Sequence, residues 1–234
     1  MEKKFILTDK FVINSFGIKL FQIKCTKSFK YAQKGDFGGY VEKEGNLDQK
    51  NDAWVSGNAR VFGNARVSSN ARVSGDAWVS GNARVFGNAR VSSNARVSGD
   101  AWVSGNAWVS GDARVSGDAR VSGNAWVSGD ARVSGDAWVS GDAWVSGNAW
   151  VSGNADIEND NEHCGFDGFG SCNRHTHAYM TKEKKVEIIC GCFRGSIEEF
   201  EKKVEETHSG TVYEKQYKSI INVIKIKFGL TDFT

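Results

Sequence analysis

Residues 53–76 read AWVSGNARVFGNARVSSNARVSGD, and residues 77–100 repeat those letters without a change. Beneath this 24-residue duplication lies a shorter unit. From Val55 to Val151 every sixth residue is Val, seventeen times, each preceded two positions earlier by Ala, and Ala155 continues the series. The hexad is Ala-x-Val-Ser-Gly-[Asn/Asp], with x either Arg or Trp. Ala and Val alternate with x and Ser, which is the period of a strand with one face turned in and one turned out. The Gly-Asn or Gly-Asp pair that follows tolerates positive φ and marks a corner. One such unit cannot bury its apolar face alone, so the units must stack into a solenoid. Three hexads, one to a side, close a triangular coil with Val and Ala inside.

The spacing Val55, Ala59, Val61, with a small Ala two residues before each aliphatic, resembles the hexapeptide signature of left-handed parallel β-helices such as bacterial acyltransferases. That resemblance, and not the period, implies the left hand. The run Lys34-Gly35-Asp36-Phe37-Gly38-Gly39-Tyr40-Val41, with Asn46-Leu47 and Asp52-Ala53-Trp54-Val55 after it, resembles the lead-in of YdcK-like hexapeptide proteins, which are frequent in bacterial and prophage genomes. The expected fold is mainly β: an N-terminal β capping segment over 1–52, a left-handed triangular parallel β-helix over 53–157, and a small C-terminal α+β domain over 158–234. At about 4.8 Å per coil, nearly six coils make a rod about 28 Å long. Both of its ends are open sheet edges that the flanking segments must cover. The chain has no proline, which suits a body of backbone ladders.

Beyond residue 160 the pattern changes. Tyr179–Thr181 and Val186–Cys190 read as a hairpin around Lys182-Glu183-Lys184. Ser196 and Glu199 form a capping box for a helix to about Glu206. A second helix from Tyr213 to Phe228 places Tyr217, Ile220, Ile221, Ile224 and Phe228 on one face. The Gly- and Asp-rich stretch 158–174 reads as a loop, giving a ββαα domain. The run Cys190-Gly191-Cys192-Phe193-Arg194-Gly195 resembles a C-terminal module of phage-encoded proteins.

Hexapeptide acyltransferases use a coil-borne His and a protruding loop, and the carbonic anhydrases built on this helix need imidazole ligands. Between Ala53 and Ala155 there is no His, Lys, Glu, Cys, Thr or Tyr, and no insertion. What the solenoid displays is its outward x column. Steps of three hexads give Trp54, Arg72, Arg90, Trp108, Trp126, Trp144 on one face. The second carries Arg60, Trp78, Arg96, Arg114, Arg132, Trp150, and the third Arg66, Arg84, Trp102, Arg120, Trp138, Asp156. Trp108, Trp126 and Trp144 are consecutive, and an exposed aromatic stripe marks an interface. They are the main interface or ligand-binding candidates, with Trp138 and Trp150 beside them. Phe62 and Phe86, the two breaks in the outward Ser column, lie one duplicated block apart and are read as duplication products.

Arg174, Cys192, Phe193 and Arg194 are the candidate recognition residues of the C-terminal domain, with the solenoid as their platform. The Cys and His residues there invite a zinc reading, but no Cys-x2-Cys pair exists. Cys190 and Cys192 are read on one strand, facing opposite ways. No metal, cofactor or catalytic residue is expected. The formal charge of +2 does not call for nucleic acid as a partner. Five cysteines and a charged N-terminus without an apolar core point to a reducing, cytoplasmic setting, with no signal peptide and no membrane span. The expected function is a non-enzymatic phage or prophage accessory protein, homotrimeric, that engages a host or defence protein or a small nucleotide signal in the host cytoplasm. A structural, polymer-forming spacer is the alternative, and a degenerate hexapeptide acyltransferase the third.

Overall fold

A computed structural model describes residues 2–230, so the last four residues of the domain expected over 158–234 lie outside the described residues. Two long strands, β1 (Phe5–Ile13) and β2 (Lys19–Cys25), pair antiparallel, and β2 pairs antiparallel with β3 (Phe37–Val41). Eighteen two-residue strands follow, β4–β21, from Trp54–Val55 to Asp156–Ile157. They stack in three parallel ladders in which each rung pairs with the rung three hexads on, as Trp108 does with Trp126. Backbone bonds run from coil to coil, for example from the Arg96 N–H to the Ala113 carbonyl at 2.9 Å. Every inward Val from Val55 to Val151 is buried, and the Ala column closes the gaps between them. This is the parallel β-solenoid the hexad implies.

The corners explain the glycines. Gly99 has φ +68, and a Cβ there would stand 2.9 Å from the Gly117 amide nitrogen, so both backbone conformation and neighbour demand glycine. Two corners break the rule: Ser69 and Ser93 hold the same left-handed φ, 59 and 60.

The N-terminal segment does more than cap. Strand β3 pairs in parallel with Arg60–Val61 in β5, and Leu47 bridges Val67, so residues 37–48 form two sides of an extra first coil. Val41 pairs with Val61 and Leu47 with Val67, two positions beyond the step of three hexads, because two additional residues fall between Leu47 and Val55. Gln49, in this excess, accepts from the Lys4 and Phe5 amides and donates to the Phe5 carbonyl. Its side chain stands in for a strand. The Lys4 ammonium donates to the Asn51 and Ala53 carbonyls, covering the first edge. Asn46, fully buried, donates to the carbonyls of Gly63 and Ala65.

The C-terminal domain is a four-stranded antiparallel sheet in the order β22 (His163–Phe169), β23 (Arg174–Met180), β24 (Val186–Cys190), β25 (Phe193–Ser196), with helices α1 (Ile197–His208) and α2 (Val212–Lys227). The ββαα expectation is thus corrected to four strands. The stretch 158–174, read as a loop from its Gly and Asp content, contains β22. Cys164 and Phe166, two apart, pack on the helix-side core, and the register shift before Phe169 falls where Gly168 takes φ +80. The capping box Ser196–Glu199 and the Tyr217, Ile220, Ile221, Ile224 face are as expected. Strand alternation gives the sheet two jobs. Tyr179 and Ile189 join the solenoid core and plug its end, while Ala178, Ile188 and Cys190 face α1 and α2.

Phe62 departs from its reading as a mere duplication product. It is 6% exposed and packs with Leu20 and Tyr40 under the β1–β2 hairpin, whereas Phe86 has no such cover and is half-buried.

Phe62→Ser should therefore cost about 3 kcal/mol of the unfolding free energy that reports on the hairpin, and Phe86→Ser less than about 1 kcal/mol, as read by urea titration. Equal costs at the two sites would contradict this packing. Ser69→Gly and Ser93→Gly should each stabilise by about 0.5–1 kcal/mol, since glycine holds left-handed φ without a Cβ penalty. A lower urea midpoint in either variant would refute the corner argument.

Candidate binding surfaces

The three outward columns stand as the step of three hexads places them, but their aromatics are not equivalent. On the third face Trp102 has Arg84 over one side at 5.2 Å and Arg120 at 5.3 Å, and Trp138 lies between Arg120 at 4.9 Å and Lys182 at 4.8 Å. On the second, Trp78 has Arg60 at 5.2 Å and Arg96 at 5.4 Å, and Trp150 has Arg132 at 5.9 Å. These indoles are engaged by cations of their own chain.

On the first face, Trp108 and Trp126 stack with centroids 5.0 Å apart and planes 1° from parallel, and Trp126 and Trp144 at 5.2 Å and 7°. The pitch of the coil sets that spacing. Serines of the preceding coil fix the rings: Trp108 Nε1 donates to Ser92 Oγ at 3.0 Å and Trp126 Nε1 to Ser110 Oγ at 3.3 Å. Arg90 approaches only the near end, 5.8 Å from the Trp108 ring. Exposure rises toward the far end, and Trp144, at 51%, is the most exposed indole. Of the five candidate tryptophans, the fold brings Trp108, Trp126 and Trp144 together and leaves Trp138 and Trp150 on the other two faces.

Three of the four C-terminal candidates also meet. Arg174, Cys192 and Phe193 line one cleft of about 210 Å³ with Lys203, His208 and Tyr217. Cys190 closes β24, buried against Thr176 and Tyr217, and Cys192 sits in the turn beyond Gly191, exposed. The expectation of one strand is corrected: residues two apart on a strand share a face, and it is the turn at Gly191 that separates these thiols. Arg194 lies elsewhere. Its Nε donates to Glu187 Oε1 at 2.6 Å, and its guanidinium packs over Gly153, where any Cβ would collide with it. Arg194 thus ties β25 to the last coil. Removing 158–234 would uncover the Tyr179 and Ile189 side of the solenoid core, so the rod and the domain are not independent parts.

The imidazoles form a relay that sequence alone did not show. His177 is buried and its Nδ1 lies 3.0 Å from the Trp150 carbonyl, which only accepts, so Nδ1 carries the proton. Its Nε2 then accepts from His163 Nδ1 at 3.1 Å. His175 Nδ1 lies 2.8 Å from Asp167. Burial pushes the His177 pKa down to about 3 and lowers that of His163. Among the described residues no group of three or more His, Cys, Asp or Glu is placed to hold a metal ion, and no helix is long and apolar enough to cross a membrane.

Seven overlapping or adjacent stretches, 53–69, 65–81, 77–93, 95–111, 113–129, 125–141 and 131–147, match the YdcK β-solenoid repeat. The rod is a run of YdcK β-solenoid repeats. The matched stretches lie within the rod and stop short of its last strands and of the C-terminal sheet. Comparison with curated proteins finds no match.

The buried His177 should make the rod's C-terminal cap lose stability in acid. The folded-state pKa of His177 lies below its unfolded value near 6.5, so stability is complete above that pH. As pH falls, the unfolded chain binds a proton that the folded one refuses, and unfolding free energy drops by about 1.4 kcal/mol per unit. Urea unfolding at pH 7 and pH 5 should show the loss in the wild type and at most half of it in His177→Gln. The same pH dependence in both proteins would show that the buried imidazole is not its source.

Proposed function

We propose that this protein is a non-enzymatic binding platform whose Trp108–Trp126–Trp144 face is its association surface. The observation that carries the reading is the contrast among the faces. On the other two faces a cation lies against each indole, while these three stack on one another in one unbroken column whose far member, Trp144, is the most exposed indole at 51%. An uncovered aromatic stripe on a flat sheet favours burial against another molecule. The first partner is a second copy of this chain, in a homotrimer with one such face from each subunit at the contact. That assembly displays three copies of the cleft formed by Arg174, Cys192 and Phe193, which takes the host or defence component, a protein or a small nucleotide signal. A phage or prophage accessory role in the host cytoplasm follows the resemblance of the lead-in and C-terminal segments. The polymer-forming alternative is the weaker one. Side chains of Lys4 and Gln49 at one end and the Tyr179–Ile189 sheet at the other cover the edges that end-to-end growth would need.

Light scattering of the wild type against Trp126→Arg combined with Trp144→Arg tests the face. Arg is what other rungs carry at this position, so the fold tolerates the exchange. The expected result is an oligomer that the double variant reduces to a monomer. An unchanged mass, or a monomeric wild type, ends the proposal.

A further inference from the structure

The outward Ser column carries two bulky residues, Phe62 and Phe86, and they come from the same position of the duplicated block. A shift of four hexads is one coil plus one side, so the second copy lies one coil further on and one face round. Its local geometry is copied. Phe62 meets Trp78 edge-on at 5.8 Å and 78°, and Phe86 meets Trp102 at 5.9 Å and 79°. Arg60 lies over Trp78 and Arg84 over Trp102, both at 5.2 Å.

The surroundings are not copied. Leu20 and Tyr40 cover Phe62, with Val12 and Ile18 beside them and the Phe16 ring 6.3 Å away. Phe86 instead floors an open cleft of about 460 Å³ bordered by Arg66, Arg84 and Asp48. Where Tyr40 stands on the rung before Arg60, Arg66 stands on the rung before Arg84. The Asp48 carboxylate is occupied by the Lys50 amide at 3.0 Å and the Asn51 side chain at 2.8 Å. Among the described residues no carboxylate pairs with Arg66 or Arg84.

We infer that this cleft is a binding site for a small aromatic anion of the nucleoside monophosphate class. The occupied copy supplies the template: a ring lies against Phe62 there, and the same place on Phe86 is free. Trp102 cannot offer a ring face, because Arg84 and Arg120 cover both of its sides, so the base rests on Phe86. The phosphate goes to the guanidiniums of Arg66 and Arg84, on rungs about 4.8 Å apart. Guanidinium forks match phosphate oxygens with charge-assisted bonds. The cleft volume falls within the range of small-ligand sites. This site is on a different face from the tryptophan stack and does not depend on association through it.

Calorimetric titration of the full chain with adenosine monophosphate tests the assignment, with adenosine, inorganic phosphate and phenyl phosphate as comparison probes. Phe86→Ser restores the serine of the other rungs, Arg66→Gln removes one charge, and circular dichroism confirms that both variants fold. Saturable binding of adenosine monophosphate is expected, weaker by about tenfold or more in either variant and for adenosine or phosphate alone. Unchanged affinity in Phe86→Ser, or inorganic phosphate binding as tightly as the nucleotide, overturns the site. Binding of phenyl phosphate without adenosine monophosphate overturns the nucleotide assignment, and no saturable binding by any probe overturns the whole inference.

Discussion

Everything in this molecule depends on the closure of the coil by three hexads. A Val and an Ala per side fill the triangle, and each coil lies on the next through backbone bonds such as Trp102 N–H to the Ala119 carbonyl at 2.9 Å. Once the coil is a whole number of hexads, identical positions fall into columns, and a column is a one-dimensional crystal of side chains. The corner column of Asn70, Asn88, Asn106 and Asn124 shows what this does. Each amide donates to the carbonyl oxygen of the next, at 3.1, 3.0 and 3.0 Å, and the last donates to the Asp142 carboxylate at 2.9 Å. A carboxylate has no proton to pass on, so Asp is best placed where such a chain ends. At another corner Asp100, Asp118 and Asp136 occupy consecutive rungs, and like charges at this spacing oppose one another. The backbone ladder holds them in place regardless.

A regular stack has the drawback of two raw edges, and the flanking segments meet it by different physics. At the start, single polar side chains do the work: Gln49 imitates a strand for Phe5, and a buried lysine reaches the Ala53 carbonyl. Burial lowers the Lys4 pKa to about 8, the cost of placing an ammonium where only carbonyls receive it. At the finish, a whole sheet turns one face to the rod and the other to two helices. The Trp144 amide of the last first-face rung is taken by the Asp160 carboxylate at 2.7 Å. Strand β21 is continued by a bridge between Ala155 and Thr181.

The periodic part of this structure was legible from letters alone, because closure turns counting into geometry. Stepping by three hexads placed every Arg and Trp on its face, including the three that stack. What did not repeat was harder to see. The first coil, in which Val41 pairs with Val61 and Leu47 with Val67, breaks the count by two and so hid inside an apparent cap. Strand β22 was hidden by composition: Gly165, Asp167 and Gly168 suggest a loop, and the signal that competed with them was only Cys164 and Phe166 spaced by two. Arg194 looked like a free recognition residue since nothing in the sequence places Glu187 beside it. The histidine relay had no local signature either, as the acceptor for His177 is the backbone carbonyl of Trp150, in the last full coil of the rod.

The mismatch between the duplicated block and the coil has a consequence for how such a rod changes its surface. Duplicating one whole coil would lengthen the rod and copy each feature onto its own face. Duplicating four hexads copies each feature onto the next face, away from whatever had covered it. Phe62 is held under a hairpin that does not repeat, so its copy Phe86 arrives without a lid and beside a different upstream rung. The Val and Ala core does not register the difference, because every hexad is equivalent from inside. The exposed side registers all of it: a residue that packs the N-terminal hairpin becomes, one face round, the floor of an open cleft between two arginines. Stability and surface chemistry are thus decoupled by the geometry itself, and the same decoupling lets Trp replace Arg at Trp108, Trp126 and Trp144 without disturbing the ladder beneath them.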